Sequence, residues 1–379
     1  MRIAILASNF IRLPPEPKDV PFGYSGAPEH IMHMVAEALV KKGHQVTLFA
    51  SGDSTTSANL VSVTKTATAL EPLIGIGQHP EFERLLISKC YEMAKQNNFD
   101  VIHSIFDVKS AFYTPLVDIP TVSTLHSPLD FIKYEILSRV KKNQYLVSIS
   151  DSQRILYPDL NYCATIYHGL DLDTDEFQYG EGVGNYIIFV GRLVVEKGIE
   201  TIIFLSKKLQ KQIYLLGTNV KNSNYWNKII KPNIDDNFIH HFGFLDKEKL
   251  RLHYKNAKLF LFPIKWEEPF GLVMIEAMAC GTPVVAYARG SVPEIIRDGE
   301  TGFLVNPSDE DIRGDWIIKK TGVEGLEEAI NKIYSMPDVQ YQQMRLNCRV
   351  HVKKNFTVEK MVSDYEKVYQ EIIDKNKKF

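Results

Sequence analysis

Glu268-Pro269-Phe270-Gly271-Leu272-Val273-Met274-Ile275-Glu276 runs directly into Ala277-Met278-Ala279-Cys280-Gly281-Thr282-Pro283-Val284-Val285. The stretch reads as a loop opening into a helix. Pro269 presets φ near the start, and Gly281 with Pro283 stops the helix about three turns later. The glutamates are spaced a little over two helical turns apart. That places Glu276 well inside the helix and Glu268 just ahead of its N-terminus. Between them lie backbone N–H groups at the positive end of the helix, a natural anion site. Carboxylates suit hydroxyls, and helix N-termini suit phosphates. A nucleotide sugar carries both.

The rest of the chain fits an ordinary globular protein. Its 379 residues leave room for two domains with their own cores. The composition is 45% hydrophobic and 24% charged, with a formal net charge of −2, so no basic field suggests a nucleic-acid partner. Cys90, Cys163, Cys280 and Cys348 are scattered, with no Cys-x-x-Cys pair. Reduced thiols are expected, and neither a zinc site nor a redox motif. Arg2-Ile3-Ala4-Ile5-Leu6-Ala7-Ser8 reads as a buried strand and not as a secretory leader. No apolar run is long enough to span a bilayer. The expected location is cytoplasmic.

Strands and helices alternate along the chain. A loop through Pro14, Pro15, Pro17 and Pro21 follows the first strand. A helix from about Pro28 to Lys42 carries Ile31, Met34, Val35, Ala38 and Leu39 at helical spacing, with Gly43 as its stop. Apolar strands are expected at 46–50, 101–103, 121–125 and 146–149. The pattern restarts after Tyr167-His168-Gly169-Leu170-Asp171, read as a linker, with strands at 186–190, 213–216, 259–262 and 283–287. This is a doubly wound α/β pattern repeated once. The predicted domains are 1–166 and 167–356. A closing helix, residues 357–379, carries Met361, Tyr365, Val368, Tyr369 and Ile372 on one side.

Further motifs cluster in the second half. Val190-Gly191-Arg192-Leu193 is followed by Glu196-Lys197-Gly198. Two cations past the C-terminal end of a parallel strand suit a diphosphate, because ligands of such sheets bind at that edge. Arg192 and Lys197 would stabilise charge growing on a leaving diphosphate. The plain alternative is two solvated surface charges. Glu276 suits a bidentate contact to two ribose hydroxyls. Glu268 suits hydroxyls of the transferred sugar, and the adjacent Glu267 reads as a surface charge. The N–H groups of Phe270, Gly271, Leu272 and Val273 would meet sugar and phosphate oxygens. Gly75-Ile76-Gly77 lacks a preceding strand and a third glycine, so it is no dinucleotide fingerprint.

Together with Arg289-Gly290-Ser291-Val292-Pro293-Glu294 and Asp298-Gly299-Glu300-Thr301-Gly302-Phe303-Leu304-Val305, these segments resemble the retaining glycosyltransferases of family 4. The resemblance is dense in the C-terminal half and looser before it. It implies a GT-B fold: two Rossmann-like domains facing a central cleft, the closing helix returning to the first. It implies that Gly243-Phe244-Leu245 holds the base through main-chain atoms, against the plainer reading of a strand-to-helix turn. It implies that His126, just past a strand, contacts the donor sugar, although a lone histidine is usually structural. The family shows two adjacent glycines where this chain has Ser25-Gly26 within Gly23-Tyr24-Ser25-Gly26-Ala27-Pro28-Glu29. Gly26 still suits close approach to the donor, and the departure at Ser25 puts the acceptor geometry in doubt.

The resulting expectation is a hexosyltransferase that moves a sugar from a nucleotide donor, UDP-linked in preference to GDP-linked, with retention. The acceptor is a carbohydrate, lipid-linked or small-molecule hydroxyl. No metal or cofactor is expected, because Arg192 and Lys197 take that place. No enzyme nucleophile is evident. Residues 131–142 read as a mixed basic and apolar helix, a solvated face before a weak peripheral membrane contact. The alternatives are a sugar-nucleotide epimerase, a phosphorylase of the same fold, or a catalytically silent nucleotide-sugar-binding protein.

Overall fold

A computed structural model describes the chain except residues 17–19, 22, 23, 25, 72, 73, 75, 76, 97, 173–176, 181–183, 219–222, 236 and 377–379. Pro17, Gly23, Ser25, Gly75 and Ile76 therefore lie outside the described residues. The chain divides into two compact units, Met1–Gly169 with Val358–Phe379, and Leu170–Thr357.

The first unit contains β1 (Arg2–Leu6), α1 (Ala27–Lys41), β2 (Gln45–Phe49), β3 (Asn59–Val61), α2 (His79–Ala94), β4 (Val101–Ser104), α3 (Asp107–Ala111), β5 (Thr121–Leu125), α4 (Phe131–Arg139), β6 (Gln144–Ser148) and β7 (Tyr162–Thr165). Its seven-stranded sheet has the order β3-β2-β1-β4-β5-β6-β7. All its pairings are parallel. Ile3, Ala4, Ile5 and Leu6 are completely buried. An unbroken apolar run is what a strand covered on both faces requires.

The second unit contains β8 (Ile187–Val190), α5 (Ile199–Leu209), β9 (Ile213–Leu216), β10 (Ile239–Gly243), α6 (Lys247–Asn256), β11 (Leu259–Phe262), α7 (Leu272–Ala279), β12 (Val284–Tyr287), α8 (Val292–Ile295), β13 (Gly302–Val305), α9 (Gly322–Tyr334) and α10 (Asp338–Asn355). Its parallel six-stranded sheet has the order β10-β9-β8-β11-β12-β13. In both units the order reverses beside the first strand, β1 or β8. That reversal creates the crevice in which open parallel sheets bind ligands.

The last helix, α11 (Val358–Asn376), belongs to the first unit. It buries Met361, Tyr365, Val368, Tyr369 and Ile372. Two tyrosines on this face carry a polar network into the sheet. The Tyr369 hydroxyl meets His103 Nδ1 at 2.5 Å, His103 Nε2 meets Thr124 Oγ1 at 2.7 Å, and Thr124 Oγ1 meets the Tyr365 hydroxyl at 2.9 Å. At the helix surface, Glu366 accepts from Lys42 at 2.5 Å and pairs with His44 at 2.8 Å.

Two local readings change. The helix after Glu268 is two turns and not three: α7 has 8 residues, starts after a left-handed Gly271 (φ 86°) and ends before Cys280. Pro269 therefore belongs to the approach loop. The helix expected within 131–142 ends at Arg139, and its Lys133 is tied to Asp107 at 3.1 Å.

Replacing Tyr369 by Phe leaves buried His103 with an unpaired ring nitrogen. The expected loss is about 1–3 kcal/mol of unfolding free energy, the desolvation cost of one unsatisfied polar group. Urea denaturation of Tyr369→Phe measures it; an unchanged midpoint would show that the network contributes nothing.

Candidate functional site

The site in the second unit is built at the carboxyl ends of β8 and β11. After β8, Leu193 N–H donates to Thr218 O at 2.9 Å and Val194 N–H to Arg192 O at 3.0 Å. A single 3₁₀ turn, Val195–Lys197, follows, ended by Gly198 at φ 68°. A Cβ at Gly198 would lie 2.1 Å from Pro263 O, so only glycine lets this turn press against the chain leaving β11. Glu196 O accepts from Lys265 N–H at 2.8 Å and fixes the same approach.

That approach delivers Lys197 to Glu268. Lys197 Nζ lies 2.6 Å from Glu268 Oε2, with 12% and 10% of the two side chains exposed. Trp266 Nε1–H donates to the same oxygen at 2.8 Å. The ammonium also sits 4.9 Å from the Trp266 ring centroid and 5.2 Å from that of Phe262. Glu268 Oε1 accepts no hydrogen bond among the described residues. Glu268 therefore presents one committed and one uncommitted oxygen.

Phe270 is buried, while Gly271, Leu272 and Val273 are half-buried at the start of α7. The first N–H groups of a helix have no intrahelical acceptor, so this end favours an anion. Glu276 stands one turn further on. Its Oε2 accepts from the Tyr254 hydroxyl at 3.1 Å. Burial, then the Glu276 charge, pushes the Tyr254 phenol far above its ordinary pKa, so it stays a donor. Arg192 is exposed, and its guanidinium makes no ion pair among the described residues. The structure thus couples Lys197 to Glu268 and leaves Arg192 outside that pair. Phe244, on the turn after β10, is 55% exposed.

Glu267 is a surface charge, as read from sequence, and it is also bonded to two other loops. Its carboxylate accepts from Gly290 N–H at 2.6 Å and pairs with Arg313 at 2.9 Å.

In the first unit, Gly26 caps α1 in the left-handed region, at φ 64°. His126 follows β5. The amide of Gln153 donates to the carbonyls on either side of it, Leu125 O and Ser127 O, both at 2.9 Å. The His126 ring stacks on His168 with centroids 5.3 Å apart and planes 16° apart. His168, read from sequence as linker, is 4% exposed. Burial pulls His126 down to about 4, opposed by the Asp107 charge, and takes His168 well below its usual value. His126 Nε2 is buried with no hydrogen-bond partner among the described residues. A neutral imidazole with a spare nitrogen can donate to or accept from a ligand hydroxyl.

Sequence reading missed Trp266, Tyr254, Gln153, His168 and Arg313. Only Trp266 carried a local signal, two residues before Glu268.

Residues 173–349 match the family model described as glycosyl transferases group 1, and residues 25–173 match the one described as glycosyltransferase family 4. The chain is a group 1 glycosyltransferase. This glycosyltransferase is 24% identical over 335 residues to N-acetyl-alpha-D-glucosaminyl L-malate synthase of Bacillus anthracis, covering 79% of this chain and 83% of that one. It is 24% identical over 315 residues to 2-deoxystreptamine N-acetyl-D-glucosaminyltransferase of Niallia circulans, covering 73% and 77%. Sucrose-phosphate synthase of Thermosynechococcus elongatus superposes with a TM-score of 0.75 over 99% of each chain, at 21% identity. Anabaena HepE, solved with UDP-glucose, superposes with a TM-score of 0.66 over 100% of each chain, at 18% identity. These neighbours show a GT-B glycosyltransferase fold of two parallel-sheet Rossmann-like domains.

The buried histidines of the glycosyltransferase set a pH dependence of stability. His103 is pulled down to about 3 and His126 to about 4, chiefly by burial. Below about 6.5 the unfolded chain binds protons that the folded chain refuses, so stability is present above that pH and is lost on acidification toward 4. One such histidine costs about 2 kcal/mol by pH 5. Calorimetry from pH 7 to 5 should show a falling unfolding temperature, and His126→Gln should flatten the slope. An unchanged slope would contradict the buried neutral ring.

Proposed function

We propose that this glycosyltransferase moves a sugar from a nucleoside-diphosphate donor to a hydroxyl acceptor, with retention and without a metal ion. The observation that carries the reading is the Lys197–Glu268 pair, 2.6 Å apart, beside the N-terminus of α7. A lysine held there supplies a fixed positive charge to a diphosphate. A carboxylate with one uncommitted oxygen supplies an acceptor for sugar hydroxyls. The α7 N–H groups take phosphate or sugar oxygens, and Glu276, steadied by Tyr254, takes the ribose.

The chemistry follows from those charges. The C–O bond to the diphosphate breaks as negative charge gathers on the leaving oxygens, and Lys197 with Arg192 stabilises that charge. The departing diphosphate accepts the acceptor's proton on the face it leaves, and the new bond forms on that face. His126 is assigned to the transferred sugar, Gly26 to the donor, and Phe244, with Gly243, to the base. UDP is the favoured nucleotide, supported by HepE having been solved with UDP-glucose; GDP also suits a base held by main-chain atoms. The acceptor belongs to the carbohydrate, lipid-linked or small-molecule hydroxyl classes. The relatives are named for an N-acetyl-glucosaminyl L-malate product and for N-acetyl-glucosaminyl transfer with 2-deoxystreptamine. The described residues contain no helix long and apolar enough to cross a membrane, and a cytoplasmic site of action fits a nucleotide-sugar donor.

Turnover of UDP-glucose, followed by UDP release in excess chelator, should equal turnover without chelator. Loss restored by magnesium or manganese would overturn the metal-free reading. Proton NMR of the first product from an α-linked donor should show an α-glycoside; a β-glycoside would overturn retention. A changed sugar nucleotide without transfer would mark an epimerase, and binding without turnover a silent protein.

Glu276→Ala should weaken binding of the free nucleoside diphosphate by about 1.5–3 kcal/mol, the loss of charged hydrogen bonds to the ribose. Calorimetry measures it, and unchanged affinity would remove Glu276 from the ribose site. Lys197→Ala should cost about 2–4 kcal/mol in kcat/KM, comparable to removing one preorganised stabilising donor.

A further inference from the structure

Glu267 joins three separate loops. Its Oε2 accepts from Gly290 N–H at 2.6 Å, and its Oε1 lies 2.9 Å from Arg313 Nη2 and 3.4 Å from Arg289 Nη1. Asp311 completes the ring of charges, 2.8 Å from Arg289 Nη2 and bonded to the Arg313 side chain. The loop that carries Arg313 is folded around one buried amide. Asn306 Oδ1 accepts from Arg313 N–H at 2.8 Å, Gly314 N–H at 3.2 Å and Trp316 Nε1–H at 3.1 Å. Arg313 is therefore presented from a shaped loop.

The consequence falls on Glu268. Gly290 has φ 58°, and a Cβ there would stand 2.3 Å from Glu268 O and 2.4 Å from Glu268 N, so the two backbones touch. Ser291 N–H donates to Glu268 O at 2.9 Å, and Ser291 Oγ donates to Phe270 O at 2.7 Å. The side chain of Glu267 and the backbone of Glu268 are thus fastened to the same three residues, 289–291.

We propose that Arg313 and Glu267 are positioning residues for Glu268, setting where its carboxylate meets the transferred sugar. The inference rests on the donor reading given above. Glu267 is 51% exposed and the Arg313 side chain 35%, so these pairs add little to stability. Their effect is geometric. A reacting group misplaced by about 1 Å can lose on the order of a hundredfold in rate. A clamp of this kind therefore acts first on the sugar-dependent step, because its contacts reach the residues that hold the Glu268 backbone and, among the described residues, none is made to Lys197 or Glu276.

The test uses the full-length protein with Arg313→Ala and Arg313→Lys. Calorimetry measures affinity for UDP and UDP-glucose, and in parallel for GDP and GDP-mannose; nucleoside-diphosphate release measures kcat and KM. Arg313→Ala should keep its unfolding temperature and bind the free nucleoside diphosphate within about twofold of wild type, while kcat on the sugar nucleotide falls about tenfold or more. Arg313→Lys should recover part of that loss by keeping one charged contact to Glu267. Equal loss of affinity for free nucleotide and sugar nucleotide, or an unchanged kcat, would overturn the proposal. Should the wild-type protein bind none of the four nucleotides, the donor reading fails and this inference falls with it.

Discussion

A lysine ammonium and a carboxylate, 2.6 Å apart and both about nine-tenths buried, organise the second unit. Burying either charge alone would cost several kcal/mol, so neither stands there without the other. Everything around the pair serves that requirement. Gly198 lets the turn after β8 lie against Pro263, Lys265 N–H fixes Glu196, and Trp266 supplies a neutral donor to the shared oxygen. The pair also explains how a ligand with opposite needs can be received. On the proposed reading a diphosphate would satisfy the lysine, and sugar hydroxyls the glutamate.

The scaffolding follows from parallel-sheet physics. Strands buried on both faces leave their polar edges at the carboxyl ends, and loops there carry the chemistry. In the second unit those ends deliver Lys197, Glu268 and the start of α7. In the first, the end of β5 delivers His126, held by Gln153 and stacked on His168. α11 ties itself to that sheet through His103, whose ring is bonded at both nitrogens.

The sequence made some levels of this structure legible and not others. Long apolar runs and their glycine stops revealed the central strands, and spacing of 3.6 revealed the buried face of α11. The edge strands β3 and β7 have 3 and 4 residues and carry half-exposed side chains, so they lacked an apolar signal. Helix α7 was read one turn too long because Pro269 resembles a helix start; the left-handed Gly271 moves the start inward. Glu268, Glu276, Lys197 and Arg192 stood out because motif and chemistry agreed. Their partners did not. Tyr254 is 22 positions from Glu276, and Arg313 is 46 from Glu267. His168 was read as linker because its neighbours are Tyr167, Gly169 and Leu170. It is buried and stacks on His126, a contact made by the fold and not by local sequence.

The central claim is that the Lys197–Glu268 pair, beside the start of α7, receives a nucleotide sugar. A crystal structure of the protein bound to an unreactive UDP-sugar analogue tests it most directly. The account predicts a diphosphate oxygen within about 3 Å of Lys197 Nζ, a sugar hydroxyl within the same distance of Glu268, and phosphate or sugar oxygens on the α7 N–H groups. A bound nucleotide that leaves the pair intact and lies elsewhere would contradict it.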